Sequence, residues 1–259
     1  MNNELNLMVA NANLKALFPL KHLLPITVED VNKVYDRNVL GVATDAKTKK
    51  GLSRGFLTGI MYLAPAKLSG IDICPGRSLG CTSSCLFTAG RGRFYSITRA
   101  RVIKTLAFHF DRPRFVATIK KSIRSVIVKA TNKKMTPVIR LNGTSDIPWE
   151  IMSDVIQSYP TVQFYDYTKL SGRFLKPLPK NYALTFSLSE DNREKALTVL
   201  KNNGNVAAVF SGPLPKELWT YKVIDGDKTD LRFLDPQNTI AGLKAKGAAK
   251  KDESGFVIR

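Results

Sequence analysis

The chain has 259 residues, of which 44% are hydrophobic and 24% are charged, a composition typical of an ordinary globular protein. Its 40 Lys and Arg residues outnumber 21 Asp and Glu residues, which gives a formal net charge of +19. The two histidines are too few for His-rich metal centres, and neither lies in the sequence context of a catalytic triad.

Nothing in the sequence indicates export or membrane insertion. No apolar run approaches the roughly 18 residues that span a bilayer. The first twenty residues lack the basic start and the apolar stretch of a secretory signal. The three cysteines are an odd number, which argues against a disulfide framework. We therefore expect a protein of the reducing cytoplasm with no membrane partner.

Residues 1–54 are predicted to form an N-terminal helical extension. Apolar residues between Leu5 and Leu17 follow a helical spacing. The stretch from Thr27 to Asp30 has the composition of a helix cap and predicts a second, short helix. The polar residues 44–51 predict a loop.

Residues 55–259 contain short apolar stretches that predict about six β-strands. These stretches lie at 55–65, 136–142, 161–167, 182–189, 206–210 and 221–224. Helices are predicted between them, because amphipathic segments separate most of the strands. The fold class is therefore α/β, with a parallel sheet and helices outside it.

Six such units favour a partial, TIM-like β/α barrel, and a doubly wound open sheet is the alternative. The predicted helices lie at 96–110, from 111 onward, and at 148–159, 192–201 and 215–219. No G-x-G-x-x-G motif follows any predicted strand, which argues against a dinucleotide-binding Rossmann fold.

A loop at residues 72–92, after the first predicted strand, contains every cysteine of the chain. Cys74, Cys81 and Cys85 form the pattern C-x6-C-x3-C, and nearby glycines allow the backbone to fold tightly around one centre. A [4Fe–4S] cluster bound by three thiolates would keep one iron open. A structural zinc site needs a fourth ligand from elsewhere. A metal-free trio of thiols is the third alternative.

Several stretches together resemble a family of phage-encoded proteins called gene product 88-like, which includes domains of unknown function and is distantly similar to radical S-adenosylmethionine barrels. The stretches are CPGRSLGCTSSCLFTAGRGR, RARVIKT, RLNGTSDI, FYDYTK, FSLSE, DGDKTDLRFLDP and GLKAKG. The resemblance covers most of residues 55–259. It implies a cysteine-ligated iron–sulfur site on a partial barrel, S-adenosylmethionine as a candidate cofactor, and the cytoplasm of an infected bacterial host.

The cysteine spacing departs from the radical pattern C-x3-C-x2-C. Cys81 and Cys85 supply its first part, but Thr88 stands three positions after Cys85 and the third cysteine lies upstream. The departure weakens the inference to S-adenosylmethionine cleavage more than the inference to a cluster.

Polar residues follow the predicted strands, at the edge where parallel barrels have their active sites. The candidate catalytic residues are Asp146, Asp166, Tyr167 and Lys169. The candidate cofactor-binding residues are Asn142, Ser187, Ser189 and Glu190. Such residues also cap the helix that follows a strand, which is the alternative role for each of them.

Positive charge is concentrated between Arg91 and Lys134, where thirteen basic residues accompany one acidic residue and contribute +12 of the net charge. This density predicts a nucleic acid or another phosphate-rich partner, with a solvated helix face as the alternative. A second, glycine-flanked basic loop lies near residue 245. The candidate contacts are Arg91, Arg93, Arg99, Arg101, Lys104, Lys244 and Lys246.

Two functional hypotheses follow. The first is an iron–sulfur enzyme, similar to radical S-adenosylmethionine enzymes, that acts on a nucleic acid or a nucleotide. The second is a non-catalytic nucleic-acid-binding protein in which a cluster or zinc stabilises a loop.

Overall fold

The computed structural model describes residues 3–18, 25–42 and 46–259, without the side chains of residues 46 and 47. The predicted loop at 44–51 lies partly outside these ranges. Its described part is helical instead and forms most of helix α3 (Ala46–Leu52). Alanine and lysine favour helix, which accounts for the difference.

The N-terminal region packs on the body of the protein. Helix α1 (Asn3–Leu17) and helix α2 (Val28–Asn32) both contact the long helix that begins at Tyr95. The predicted cap is confirmed: the Thr27 hydroxyl accepts the Asp30 N–H at 3.2 Å, and the Asp30 carboxylate accepts the Thr27 N–H at 3.0 Å.

One ten-stranded sheet runs through the molecule. Its strands are β1 (Gly41–Val42), β2 (Phe56–Ile60), β3 (Thr136–Arg140), β4 (Gln163–Thr168), β5 (Tyr182–Ser187), β6 (Asn205–Phe210), β7 (Glu217–Leu218), β8 (Tyr221–Asp225), β9 (Ile240–Lys244) and β10 (Val257–Ile258). The order is β1-β2-β3-β4-β5-β6-β9-β8-β7, and β10 pairs with β6 beyond the end of β5. The strands from β2 to β8 in this order are parallel, whereas β1 and β7 are antiparallel to their neighbours.

The predicted α/β class and the mostly parallel sheet are confirmed. Barrel closure is not, because β1 and β7 end the sheet and do not pair with each other within the described residues. The partial TIM-like barrel therefore stays a prediction. Strands β9 and β10 are additional to the six predicted strands.

Two predicted helices differ from the structure. The segment predicted as a helix at 215–219 contains strand β7, which pairs with β8. Trp219 and Thr220 form the turn between these strands, and their φ of 55° and 69° are what a tight hairpin requires. The helix predicted at 148–159 is only one turn, α7 (Trp149–Met152). The Asn181 amide donates to the carbonyls of Ile156, Tyr159 and Val162, so a side chain replaces helical hydrogen bonds there.

The long helices cover one face of the sheet. They are α5 (Tyr95–Phe110), α6 (Arg112–Asn132), which packs on β2 and β3, and α8 (Arg193–Lys201), which packs on β5 and β6. As predicted, Asp111 caps α6 and Pro113 lies in its first turn. The opposite face carries a small cluster of Val138, Tyr165 and Leu231. No helix among the described residues is long and apolar enough to cross a membrane.

Candidate functional site

A cavity of about 250 Å³ opens at the carboxyl ends of the parallel strands. The ends of β3, β4, β5, β6 and β9 form its floor and sides. The cysteine loop contributes Cys74, Cys81 and Cys85 to the lining, and the C-terminal segment contributes Ala249 and Phe256. The cavity therefore opens at the edge of the sheet where the sequence analysis expected the strand-end polar residues.

A short helix in the cysteine loop, α4 (Leu79–Ser83), is fixed at its first turn. The Ser78 hydroxyl accepts the Cys81 N–H at 3.0 Å and donates to the Glu190 carboxylate at 2.8 Å. The same carboxylate accepts the Gly80 N–H at 2.7 Å. A Cβ at Gly80 would collide with Glu190 and with the Ser254 hydroxyl, so glycine is needed for this close approach.

The three cysteines are half-buried free thiols that line the same cavity. Burial raises the pKa of Cys74 to about 12 and that of Cys85 to about 11, and it also raises the pKa of Cys81. These thiols are therefore protonated at neutral pH unless a bound cation stabilises the thiolates.

The arrangement of the thiols bears on which metal they suit. In the part of the chain that the structure describes, no group of three His, Cys, Asp or Glu side chains is placed to hold a metal ion. The sulfurs are thus not gathered around one point, as a single zinc ion requires. The described residues therefore present a preformed site for neither zinc nor a cluster.

Arg101, on α5, gives an independent indication that a negative charge belongs near Cys85. Its side chain is only 7% exposed, and its Nε and Nη1 have no hydrogen-bond partner among the described residues. The guanidinium lies 4.9 Å from the Tyr62 ring centre. Burial lowers the pKa of Arg101, and negative charge on Tyr62 or Cys85 opposes this shift. A thiolate-bound cluster fits this unpaired buried cation.

Residues 35–259 match the model of a family described as gene product 88. The chain belongs to this family. The matched range contains all the cysteines and every residue that lines the cavity. No curated protein and no solved structure is significantly similar to the chain. The distant similarity to radical S-adenosylmethionine barrels therefore gains no support from these comparisons.

Two predicted catalytic residues of this gene product 88 protein meet at the cavity. The Asp146 carboxylate accepts the Lys169 backbone N–H at 2.8 Å and pairs with Arg173 at 3.2 Å. The Lys169 ammonium donates to the Ser187 hydroxyl at 2.8 Å. Burial raises the pKa of Asp146 and lowers that of Lys169. Ser187, predicted as a cofactor contact, therefore belongs to the same group.

Asp166 lies behind the cavity and does not line it. Its carboxylate accepts the Asn142 N–H at 2.7 Å and the Tyr182 hydroxyl at 3.0 Å. Asn142 does line the cavity, and its Oδ1 accepts the Ser145 hydroxyl and the Ile147 N–H. This geometry favours a positioning role for Asp166 over the predicted catalytic role.

The other predicted cofactor contacts, Ser189 and Glu190, also lie outside the cavity lining. The Ser189 N–H donates to Asn192 Oδ1, and its hydroxyl donates to Asp191 at 2.8 Å. These local bonds hold the turn before α8, but neither of them accepts a helical N–H, so Ser189 is not a cap of this helix. Glu190 instead holds α4 through Ser78 and Gly80.

The floor of the cavity contains residues that the sequence analysis did not select. Arg140, at the end of β3, pairs with Asp230 at 2.8 Å and lies 4.7 Å from the ring centre of Tyr167. The buried Tyr167 hydroxyl has no hydrogen-bond partner among the described residues. Arg140 could have been selected from the sequence, because it is a charged residue at the end of an apolar strand. The sequence around Phe256 contains no such signal, because nothing near this residue links it to the site.

The basic residues of this gene product 88 protein do not form one surface. Arg99 pairs with Asp30 at 2.8 Å, and Arg101 is buried. Lys104 is half-buried, and burial together with Arg101 lowers its pKa to about 8. These three residues are therefore poorly placed to contact a polyanion.

Arg91 and Arg93 are exposed on a 3₁₀ turn at the end of the cysteine loop. Lys244 and Lys246 line the cavity, and Lys246 pairs with Asp227 at 2.6 Å. The basic turn Gly247–Lys251 contacts the cysteine loop, where the Ala248 N–H donates to the Thr88 hydroxyl.

Proposed function

We propose that this gene product 88 protein is an iron–sulfur enzyme in which Cys74, Cys81 and Cys85 ligate a [4Fe–4S] cluster. The observation that carries the proposal is the convergence of all three cysteines on one cavity at the carboxyl edge of a parallel sheet. Three protein ligands leave one iron open to a small molecule, and S-adenosylmethionine is the candidate. The reducing cytoplasm of an infected bacterial host is the matching compartment.

The surrounding side chains have distinct parts in this proposal. Lys169 and Arg77 stabilise negative charge on Cys81, and Arg101 does so for Cys85. Glu190 and Ser78 hold α4, so that Cys81 and Cys85 keep their places. Asp146 and Lys169 are the titratable groups that line the cavity near the cysteines, and we assign them the transfer of protons.

Anaerobic purification with iron, sulfide and zinc analysis tests the metal centre. We expect about four irons and four sulfides per chain together with visible charge-transfer absorbance. Cys81→Ser removes one ligand and should abolish most of this content. Ser83→Ala is the matched control, because Ser83 is an exposed residue of the same helix. Stoichiometric zinc, or metal-free protein after reconstitution with iron and sulfide, would overturn the proposal.

The open iron is tested separately. Reduction of the loaded protein in the presence of S-adenosylmethionine should yield methionine and a deoxyadenosyl product. Intact cluster content without cleavage would keep the iron–sulfur centre and reject the radical chemistry.

We propose nucleic-acid binding as the second candidate function. It is supported by the exposed basic groups beside the cavity, which come from the turn at Arg91 and Arg93 and from the turn at Lys250 and Lys251. Phe94, 52% exposed next to the first turn, offers an aromatic face for a base. In this candidate the metal centre only stabilises the cysteine loop.

Oligonucleotide binding at several salt concentrations tests the second candidate. We expect a steep loss of affinity with salt, because each phosphate contact releases counterions. The double change Arg91→Ala and Arg93→Ala should weaken binding and flatten the salt dependence. The control changes Lys129→Ala and Lys133→Ala remove equal charge near the end of α6. Equal effects of both pairs would reject the local surface.

A further inference from the structure

Two exposed basic turns adjoin the cavity. The first is Gly90–Arg93, and the second is Gly247–Lys251. Both of them contact the short turn Leu86–Thr88, in which Leu86 lines the cavity. Ala249 of the second turn lines the cavity as well. The two turns therefore belong to the rim of the site.

The charge of this rim is positive. Residues 86–97 and 244–251 contain no Asp or Glu. The exposed cations of the two turns are Arg91, Arg93, Lys250 and Lys251. None of these four side chains forms an ion pair within the described ranges. A polynucleotide repeats one negative charge per nucleotide, so one strand can contact both turns, which a single phosphate group cannot do.

Apolar side chains are exposed among these charges. Phe94, directly after the first turn, is 52% exposed, and Leu86 is 54% exposed. Phe256 is half-buried and lines the cavity. Aromatic side chains beside cations are typical of proteins that bind single strands, because unpaired bases stack on them. In a duplex the bases already stack on one another, so the rim favours a single strand.

We propose that the substrate is a single-stranded nucleic acid whose phosphates contact the two basic turns and which presents one nucleotide at the cavity. This inference rests on the proposed function in that it takes the cavity as the reaction site. The cavity volume of about 250 Å³ is below the usual range for drug-sized ligands, which suits one small ring system. The nucleic acid is then the substrate of the enzyme and not only a bound partner.

Fluorescence anisotropy of the full-length, iron-reconstituted protein tests the strand preference. The probes are a labelled oligothymidylate of about twelve nucleotides and its duplex with oligoadenylate. We expect the single strand to bind at least about tenfold more tightly than the duplex, because only its bases can stack on the rim. Equal or tighter binding of the duplex would overturn the inference. Displacement by polyglutamate as effective as that by unlabelled oligothymidylate would reject the nucleic acid in favour of any polyanion.

A variant of Phe94 tests the stacking contact. Phe94→Leu should weaken single-strand binding about tenfold and leave its salt dependence unchanged, since the phosphate contacts remain. Phe110→Leu is the matched control, because Phe110 lies at the other end of α5 and does not line the cavity. Equal effects of the two changes would reject stacking at the rim.

Photo-crosslinking locates the presented nucleotide. Oligothymidylate with one central 5-iodouracil is irradiated in the complex, and the adducts are mapped by mass spectrometry. We expect adducts at Phe256 or Tyr167, the aromatic side chains that line the cavity. Adducts confined to Phe94 or to residues far from the cavity would overturn the placement.

Iron and sulfide analysis of the same samples separates the two proposals. A protein with full cluster content and no preference for the single strand overturns only the substrate inference. Single-strand binding with adducts in the cavity, by a protein that takes up no iron, supports the strand site and overturns the proposed iron–sulfur enzyme.

Discussion

The carboxyl group of Asp166 is enclosed by polar groups that belong to three parts of the chain. It accepts hydrogen bonds from Asn142 and from the Tyr182 hydroxyl, and it is 1% exposed. Burial raises its pKa to about 7. The residue therefore holds the loop after β3 in place, and it does so with a carboxyl group that retains a proton at mildly acidic pH.

This raised pKa makes folding stability depend on pH. Between about pH 4 and pH 7 the unfolded chain releases the Asp166 proton while the folded protein retains it. The contribution of the protonated group is thus complete below about pH 4 and is lost as pH rises to 7.

Asp166→Asn should remove this dependence. We expect the wild-type free energy of unfolding to fall by roughly 2–4 kcal/mol relative to that of the variant between pH 4 and pH 7.5. Urea unfolding of both proteins at a series of pH values measures the difference. Parallel pH profiles would show that Asp166 titrates normally in the folded state.

At the scale of elements, the contact between α6 and the sheet depends on Gly59 in β2. A Cβ at this position would lie 2.7 Å from Val126 and 3.2 Å from Ile139. The absence of a side chain lets the helix approach the strands closely, and it buries Phe115, Ile119 and Ile123 in the core.

Gly59→Ala should therefore strain this contact and lower the free energy of unfolding by about 1–3 kcal/mol. Gly172→Ala is the control, because a Cβ there has no neighbour within 4 Å. Thermal and urea unfolding compare the two variants. An unchanged Gly59→Ala protein would mean that α6 has room to move away from the sheet.

Asp252 connects the C-terminal segment to α4. Its carboxylate accepts the Ser84 hydroxyl at 3.0 Å, the Ser254 hydroxyl at 2.7 Å and the Val257 N–H at 3.0 Å. These bonds hold the segment that carries Phe256 against the cysteine loop.

Asp252→Ala should release part of this segment. We expect amide hydrogen exchange at Val257 to become about tenfold faster, since three hydrogen bonds to one carboxylate are lost. The control is Glu253→Ala, at the neighbouring exposed residue, which should leave hydrogen exchange at Val257 unchanged. Equal exchange in both variants would mean that strand pairing alone holds β10.

Periodicity and capping predicted the long helices well, because their signals are local. Helix α6 begins at a capping aspartate and keeps one apolar face along its length. Strand β7 was missed because a tight turn at Trp219 and Thr220 outweighed the helical composition of residues 215–219. Helix α7 ends early because Ser153 is extended, with φ of −162° and ψ of 166°. The residues after it are then held by Asn181, which is distant in sequence.

At the scale of the whole molecule, the N-terminal helices share the main core with the sheet and its helices. Ala10 and Leu14 of α1 are fully buried there, as are Ile26 and Val31. The family match begins only at residue 35, so α1 lies outside the matched range and yet contributes to the common core.

Leu14→Ala should lower the free energy of unfolding of the whole protein by about 3 kcal/mol, because it leaves a cavity in that core. Leu17→Ala, at a position 47% exposed on the same helix, should change it by less than about 0.5 kcal/mol. A single unfolding transition is expected in both cases. Separate transitions would show that α1 unfolds independently of the sheet.

The candidate site was predictable where its residues follow strands or share a motif. The cysteine pattern, Asp146, Lys169 and Ser187 all reach the cavity, as the strand-end rule expects. Arg99 and Asp166 were selected by type and position, but their partners, Asp30 and Asn142, direct them elsewhere. Such pairings depend on tertiary contacts that no local pattern contains.

The cysteine loop and the C-terminal segment join through Ser84 and Asp252, which are 168 positions apart in the chain. Contacts between such distant residues form late in folding, because a long stretch of chain must first be ordered. The sheet between them must assemble before the cysteine loop meets the C-terminal segment. If the cysteines ligate the proposed cluster, its iron should be captured only in the last kinetic phase of refolding, after most helical signal has been recovered.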